Sequence, residues 1–140
     1  MHLAPAGERL VTWPRVGRLR ALELGTPGGL REELNGLVLA GEKQATAGLL
    51  AEYDDEDEEL EHVGERLALV DDDGRHVATV EVTAVDVVAF GDVPWSFAQA
   101  EGEGDADLAD WREGHRRYWA RLGTPVTDET SVVCLRFRLA

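Results

Sequence analysis

The chain of 140 residues predicts an α+β fold built on a mixed or antiparallel sheet, and three observations carry that reading. Two apolar runs, Leu67-Ala68-Leu69-Val70 and the stretch from Val77 onward, flank Asp71-Asp72-Asp73-Gly74, the pattern of a β-hairpin closed by an Asp-Gly turn. Two other stretches repeat apolar residues at three- and four-residue intervals, as amphipathic helices do. The predicted order is strand, helix, strands, two helices, strand, without the recurring strand–helix–strand rhythm of a doubly wound sheet.

Each element has its own signal. Residues 1–20, broken by Trp13-Pro14-Arg15-Val16-Gly17-Arg18, read as a peripheral arm leading into a short strand near Leu19–Leu24. Thr26-Pro27 reads as a helix cap with proline at the first helical position. The stripe Leu30, Leu34, Leu37, Val38 follows, and Gly41 marks the stop. Glu52 to Glu61 holds eight acidic residues in ten, which predicts a solvated loop. In the second hairpin strand Val80, Val82, Ala84 and Val88 alternate with Thr79, Glu81, Thr83 and Val85. Pro94 to Ala100 suits a short helix. Asp107 can cap a longer one whose stripe is Leu108, Trp111, His115, Tyr118 and Leu122, ended by Thr124-Pro125. Ser131 to Leu139 sets Val133, Leu135 and Phe137 against Arg136 and Arg138, a closing strand.

Composition narrows the function. Apolar residues make up 44% of the chain, enough for a core at this length. No run approaches the eighteen apolar residues of a membrane span, and the opening Met1-His2-Leu3-Ala4-Pro5 lacks the layout of a signal peptide. Cys134 is the single cysteine, so neither an intrachain disulfide nor a cysteine zinc site is expected. A cytoplasmic protein without cofactor or metal is the expectation. The net charge of −14 opposes broad phosphate binding, but the acidity is one block. Residues 51–110 carry twenty acidic and two basic side chains, whereas residues 111–140 carry three and six. A local basic surface therefore stays open. Thirteen of the fourteen basic residues are arginine, which leaves Lys43 as the only lysine. Lysine is the cation whose proton can be tuned; arginine is not.

Three motifs fail on inspection. Gly36 to Lys43 lacks the Gly-Lys-Ser/Thr ending of a phosphate loop, because Glu42 intrudes and Gln44 follows. Asp54 to Glu59 lacks the sixth-position glycine of a calcium loop. His2, His62, His76 and His115 show no metal-ligand spacing.

Three segments carry candidate chemistry. Gly41-Glu42-Lys43-Gln44-Ala45-Thr46 lies where the first helix ends, and a glycine turn there can present Lys43 and Thr46 at one mouth. A threonine hydroxyl becomes a nucleophile only beside a base or cation; the same residues also read as an exposed lysine and a strand-forming threonine. Ala100-Glu101-Gly102-Glu103-Gly104-Asp105 places carboxylates on a glycine-loosened turn, either an acid–base pair or a flexible linker. Trp111, His115 and Trp119 stack at i, i+4 and i+8, with Arg112 and Arg116 on the next ridge. Such a stripe reads first as a buried helix face, with its Arg edge a candidate contact for single-stranded nucleic acid.

From about Leu22 to Leu139 these residues resemble the ASCH domain family. The markers are G-x-K-x-x-T at Gly41, Lys43 and Thr46, the Ala100–Asp105 segment, then Leu108, Trp111-Arg112, His115, Tyr118 and the closing strand Val132–Phe137. The resemblance implies one domain over residues 21–140, a small PUA-like mixed β-barrel with helices at its rim and the lysine in a cleft. Family members are proposed to bind RNA, some are ribonucleases, and small relatives hydrolyse the acetyl amide of N4-acetylcytidine with Lys, Thr and Glu. Carried over, Lys43 would activate Thr46, Thr46 would attack the acetyl carbon, and Glu101 would shuttle the proton, with Glu103 and Glu81 as alternatives for that last role. Trp111, Arg112, His115 and Arg116 would contact the nucleoside or RNA. This chain is longer than the small amidohydrolases, with an arm and an acidic loop of its own. The expected function is therefore a cleft for a nucleoside, modified base or RNA, with amide hydrolysis as its chemistry. The alternatives are a non-catalytic RNA-binding module and a ribonuclease using the same cleft. A basic protein docking on residues 52–61 is the remaining expected partner.

Overall fold

The computed structural model describes residues 13–140, so most of the expected arm lies outside the described residues. The elements are β1 (Arg15–Val16), β2 (Leu19–Leu22), α1 (Leu30–Leu39), β3 (Ala45–Leu49), α2 (Leu50–Asp55), β4 (Arg66–Val70), β5 (His76–Ala89), α3 (Trp95–Glu101), α4 (Leu108–Arg121) and β6 (Ser131–Leu139), with a 3₁₀ turn at Phe90–Asp92. One six-stranded sheet runs β1-β2-β4-β5-β6-β3. It is mixed: β2 and β4 are parallel, and the other neighbours are antiparallel.

The barrel expected for the sheet is corrected. β1 and β3 are its two edges, and no pairing joins them among the described residues. The physical reason is the shortness of β1: two residues paired with β2 leave too little backbone for a closing ladder with β3. The long β5 pairs with β4 through His76–Glu81 and with β6 from Val80 to Ala89, and β3 adds to β6 beyond.

Local chemistry accounts for most element boundaries. The hairpin forms around Asp71, whose carboxylate accepts from the backbone of Asp73 and Arg75, both at 2.9 Å. Asp107 caps α4 by accepting from the Asp110 amide at 2.8 Å. α1 begins at Leu30 rather than at Pro27, because Gly28 and Gly29 take φ of 100° and 119°, outside the helical region. Gly41, at φ 78°, ends that helix as its position suggests. In β5 a register shift between Val82 and Ala84 breaks the expected alternation. Val85 thereby joins Val80 and Val82 on the apolar cluster instead of facing the polar side.

The acidic segment also departs from expectation. Its first half is α2, anchored by buried Tyr53, and in its second half Glu58 and Glu61 turn inward while Asp57, Glu59 and Leu60 stay exposed. Arg20 holds Glu65 at 2.9 Å and Glu58 at 3.2 Å, Arg15 holds Glu58 at 3.1 Å, and Trp13 donates to Glu56. Glu61 accepts from the Tyr53 hydroxyl at 2.7 Å. Burial of carboxylates is tolerated where they gain cations and donors, and the arginines of the flanking segment supply them. This leaves less of the segment free to dock a partner.

The core has two main parts. One lies between α1, α2 and the sheet, around Leu34, Val38, Tyr53, Leu67, Val80 and Phe137. The other lies beneath α3 and α4, around Phe90, Phe97, Trp111, Trp119 and Val132. No helix among the described residues is long and apolar enough to cross a membrane.

Candidate functional site

The site begins with a crossing of two backbones. After the turn at Gly41, the Lys43 amide bonds back to Leu37 O at 3.0 Å, and the Gln44 amide bonds to Ala100 O at 2.7 Å. The chain at 42–44 thus lies against the end of α3. Gly102 makes that approach possible: a Cβ there would sit 1.9 Å from Glu42 O, and its φ is +66°. Glycine is required on both counts.

The crossing buries Lys43 against two carboxylates. Its ammonium lies 3.1 Å from Glu101 Oε2, 2.6 Å from Glu103 Oε2 and 3.4 Å from the Glu101 carbonyl. Lys43 is 1% exposed and Glu101 2%, whereas the Glu103 side chain, at 28%, faces the opening. The second oxygen of Glu101 accepts from Trp111 Nε1 at 2.8 Å and lies 3.3 Å from His115 Nε2. His115 Nδ1 is 2.9 Å from the Trp111 carbonyl, and its ring stacks on the Trp111 indole at 4.1 Å.

These contacts set the charges. Burial disfavours the Lys43 ammonium, but the charges of Glu101 and Glu103 outweigh it and hold its pKa above the usual value. Burial would raise Glu101, yet Lys43 and then His115 keep it well below the ordinary carboxylate range. Glu103 moves the other way: burial raises it, Lys43 pulls it down, and the adjacent Glu101 charge leaves it raised overall. His115 is lowered by burial and raised more strongly by Glu101, for a net rise. Two neighbouring carboxyls are thereby driven apart, a device that separates acid from base roles.

Lys43, Thr46, Glu101, Glu103 and His115 line one cavity of about 920 Å³, which runs between α4 and the β2–α1 segment to Tyr53 and Glu61. That volume lies within the range of small-molecule sites. Thr46, on edge strand β3 opposite Leu135, is half-buried at its wall. Its hydroxyl bonds no other group among the described residues. The remaining expected contacts sit elsewhere. Trp111 is fully buried beneath the site and does not line the cavity; it reaches the site through Glu101 and His115. Arg112 donates to the Gly91 carbonyl at 2.7 Å, and Arg116 pairs with Asp128 at 3.0 Å over the Phe90 ring; neither lines the cavity. Glu81 is on the sheet surface with Arg138 and Arg66. No group of His, Cys, Asp and Glu among the described residues is arranged to hold a metal. Asp105, the last carboxylate of the Ala100–Asp105 segment, also lines the cavity, as do Glu61 and Tyr53, which sequence reasoning passed over because they lie within the acidic run.

A family model, the ASCH domain, matches residues 22–140. Among solved structures, an ASCH domain from Lactobacillus crispatus is similar at 29% identity and a TM-score of 0.74, over 85% of this chain and 77% of that one. A protein from Enterococcus faecalis assigned to the family DUF984 is similar at 28% identity and a TM-score of 0.73, over 84% of this chain and 74% of that one. A mutant ASCH protein from Zymomonas mobilis shares the fold at 13% identity and a TM-score of 0.52, over 76% and 63% of the two chains. No curated protein matches.

Proposed function

Because this chain belongs to the ASCH domain family, we propose that its cavity recognises a nucleoside, a modified base or an RNA end, and hydrolyses an amide such as that of N4-acetylcytidine. The observation that carries this reading is the buried Lys43 between Glu101 and Glu103, with the uncommitted Thr46 hydroxyl on the same cavity. In this reaction the Thr46 oxygen attacks the acetyl carbon, the amide C–N bond breaks, and the cytosine amine leaves with a proton. Water then attacks the acyl-threonine to release acetate and restore the hydroxyl. Lys43 activates Thr46 as a buried cation on the same cavity, the Thr46 proton passing to Glu103, the carboxyl that faces the opening with a raised pKa; Glu101 fixes Lys43 and shares in returning a proton to the leaving amine.

A second reading is favoured by one specific observation. The resting Lys43 is an ammonium held by two carboxylates, which suits a fixed cation in a non-catalytic RNA-binding module better than a base. A ribonuclease would use the same cleft on phosphodiesters.

Incubation of N4-acetylcytidine with wild type, Thr46→Val and Lys43→Met, followed by chromatography, separates these. Cytidine release by wild type and by neither variant is the expected result. Calorimetric binding without release favours the module, and cleavage of labelled RNA favours the ribonuclease. Absence of both binding and release overturns the nucleoside reading.

A further inference from the structure

We propose that His115 is a positioning cation: its doubly protonated ring clamps the Glu101 carboxylate, and through it Lys43, so the site is assembled only while both ring nitrogens carry protons. The assignment rests on what each ring nitrogen faces. Nδ1 faces the Trp111 carbonyl at 2.9 Å, and a carbonyl can only accept. Nε2 faces Glu101 Oε1 at 3.3 Å, and an ionised carboxylate can only accept. Nδ1 therefore donates, and Nε2, at ion-pair distance from a carboxylate that offers only lone pairs, matches it only when it too is protonated, which makes the ring an imidazolium.

The ring has no easy way to avoid this demand. It is stacked on the Trp111 indole at 4.1 Å and meets Trp119 edge-on at 5.4 Å. Its side chain is only 16% exposed. Turning it away would forfeit the stack and bury a cation without a partner. Loss of the Nε2 proton instead aims a ring lone pair at Glu101 Oε1, which keeps only the Trp111 indole donor on that side. The charged groups facing the ring are Glu101 from α3, and Glu103 and Asp105 from the loop before α4, with Lys43 beyond Glu101. Three carboxylates against one ammonium favour the cationic ring.

His115 thus acts on the site through Glu101 and not by touching a ligand. The inference treats the cavity as the functional site, as above, but its test needs no substrate. The test is ¹⁵N-histidine NMR of the full chain across pH. The expected wild-type result is a His115 ring with both nitrogens protonated at pH 7 and a midpoint above the ordinary 6.5. In Glu101→Gln the midpoint should fall by about one pH unit or more. A His115 ring carrying one proton at pH 7 in the wild type overturns the proposal, even if no variant folds. An unchanged midpoint in Glu101→Gln also overturns it. A readout beyond structure is the pH dependence of unfolding. A raised pKa contributes stability that is full below about 6.5 and lost as pH rises through the folded value. The advantage of wild type over His115→Gln should shrink along that rise; an advantage independent of pH refutes the cationic role. Failure of N4-acetylcytidine hydrolysis leaves these outcomes untouched, so the two readings fall separately.

Discussion

Replacement of Gly102 by alanine tests the backbone crossing that creates the site. The new Cβ would lie 1.9 Å from Glu42 O and 3.0 Å from Lys43 Cα, both backbone atoms that no rotamer change can move. The left-handed φ of +66° adds the alanine penalty of about 1–2 kcal/mol. Relief of the clash by displacing one backbone adds about 1–3 kcal/mol more. Gly104 supplies the control: its φ is +86°, but a Cβ there meets nothing within 4 Å. Gly104→Ala should therefore cost only the conformational part, about 1–2 kcal/mol. At about 4 °C of Tm per kcal/mol for a domain of this size, Gly102→Ala should melt about 8–20 °C below wild type and Gly104→Ala about 4–8 °C below it. Thermal unfolding followed by circular dichroism measures both. Equal losses in the two variants would refute the claim that close packing at Gly102, rather than its dihedral alone, joins Lys43 to Glu101.

The remaining predictions concern charge and hydrogen bonding. Glu101→Gln breaks a buried ion pair and should cost about 3–5 kcal/mol at pH 7. Because the Glu101 pKa is depressed, its contribution is present above the ordinary 4.5 and fades as pH falls through the lower folded value. Urea midpoints of wild type and variant should accordingly converge towards pH 3, and a constant gap would contradict the ion-pair origin. Tyr53→Phe leaves the buried Glu61 carboxylate short of a donor and should cost about 1–3 kcal/mol in urea unfolding; a neutral effect would mean that water replaces the hydroxyl. N4-acetylcytidine should bind at least about tenfold more tightly than its 5′-monophosphate, a difference of about 1.4 kcal/mol in calorimetry. All three short contacts of the Lys43 ammonium are taken within the protein, and Glu52, Glu61 and Asp105 add negative charge to the cavity wall. Tighter binding of the phosphorylated form would reverse that electrostatic assignment.

The candidate site was only partly legible in the sequence. Lys43 stood out because it is the single lysine in an arginine-rich chain, and Thr46 because of its spacing from it. Glu101 and Glu103 were visible as a glycine-flanked pair, but not the division of labour between them. That division depends on Trp111 and His115 reaching Glu101 from a different helix. Arg112 and Arg116 lay on the ridge next to the Trp111, His115 and Trp119 stripe in the sequence, yet the packing of α4 turns them towards Gly91 and Asp128. Periodicity places residues on a helix face; it does not say which neighbour that face meets.

The fold divides along the same line. The hairpin, the helices from Leu30 and Leu108, and the closing strand were determined by the sequence itself, because local signals specify them: turn residues, an Asp cap and apolar periodicity. β3 was decided only by tertiary structure, since Ala-Thr-Ala-Gly-Leu has little strand character until β6 offers its hydrogen bonds. The inward turn of Glu58 in the acidic segment belongs to the same class, since Arg15 and Arg20, over thirty residues away, neutralise a carboxylate that would otherwise stay in water. The open sheet belongs there too: β1, two residues long, pairs with β2 and not with β3, an outcome that no local pattern encodes. Local propensity is a property of neighbouring residues, whereas charge neutralisation, strand pairing and pKa depend on which distant groups share a low-dielectric space.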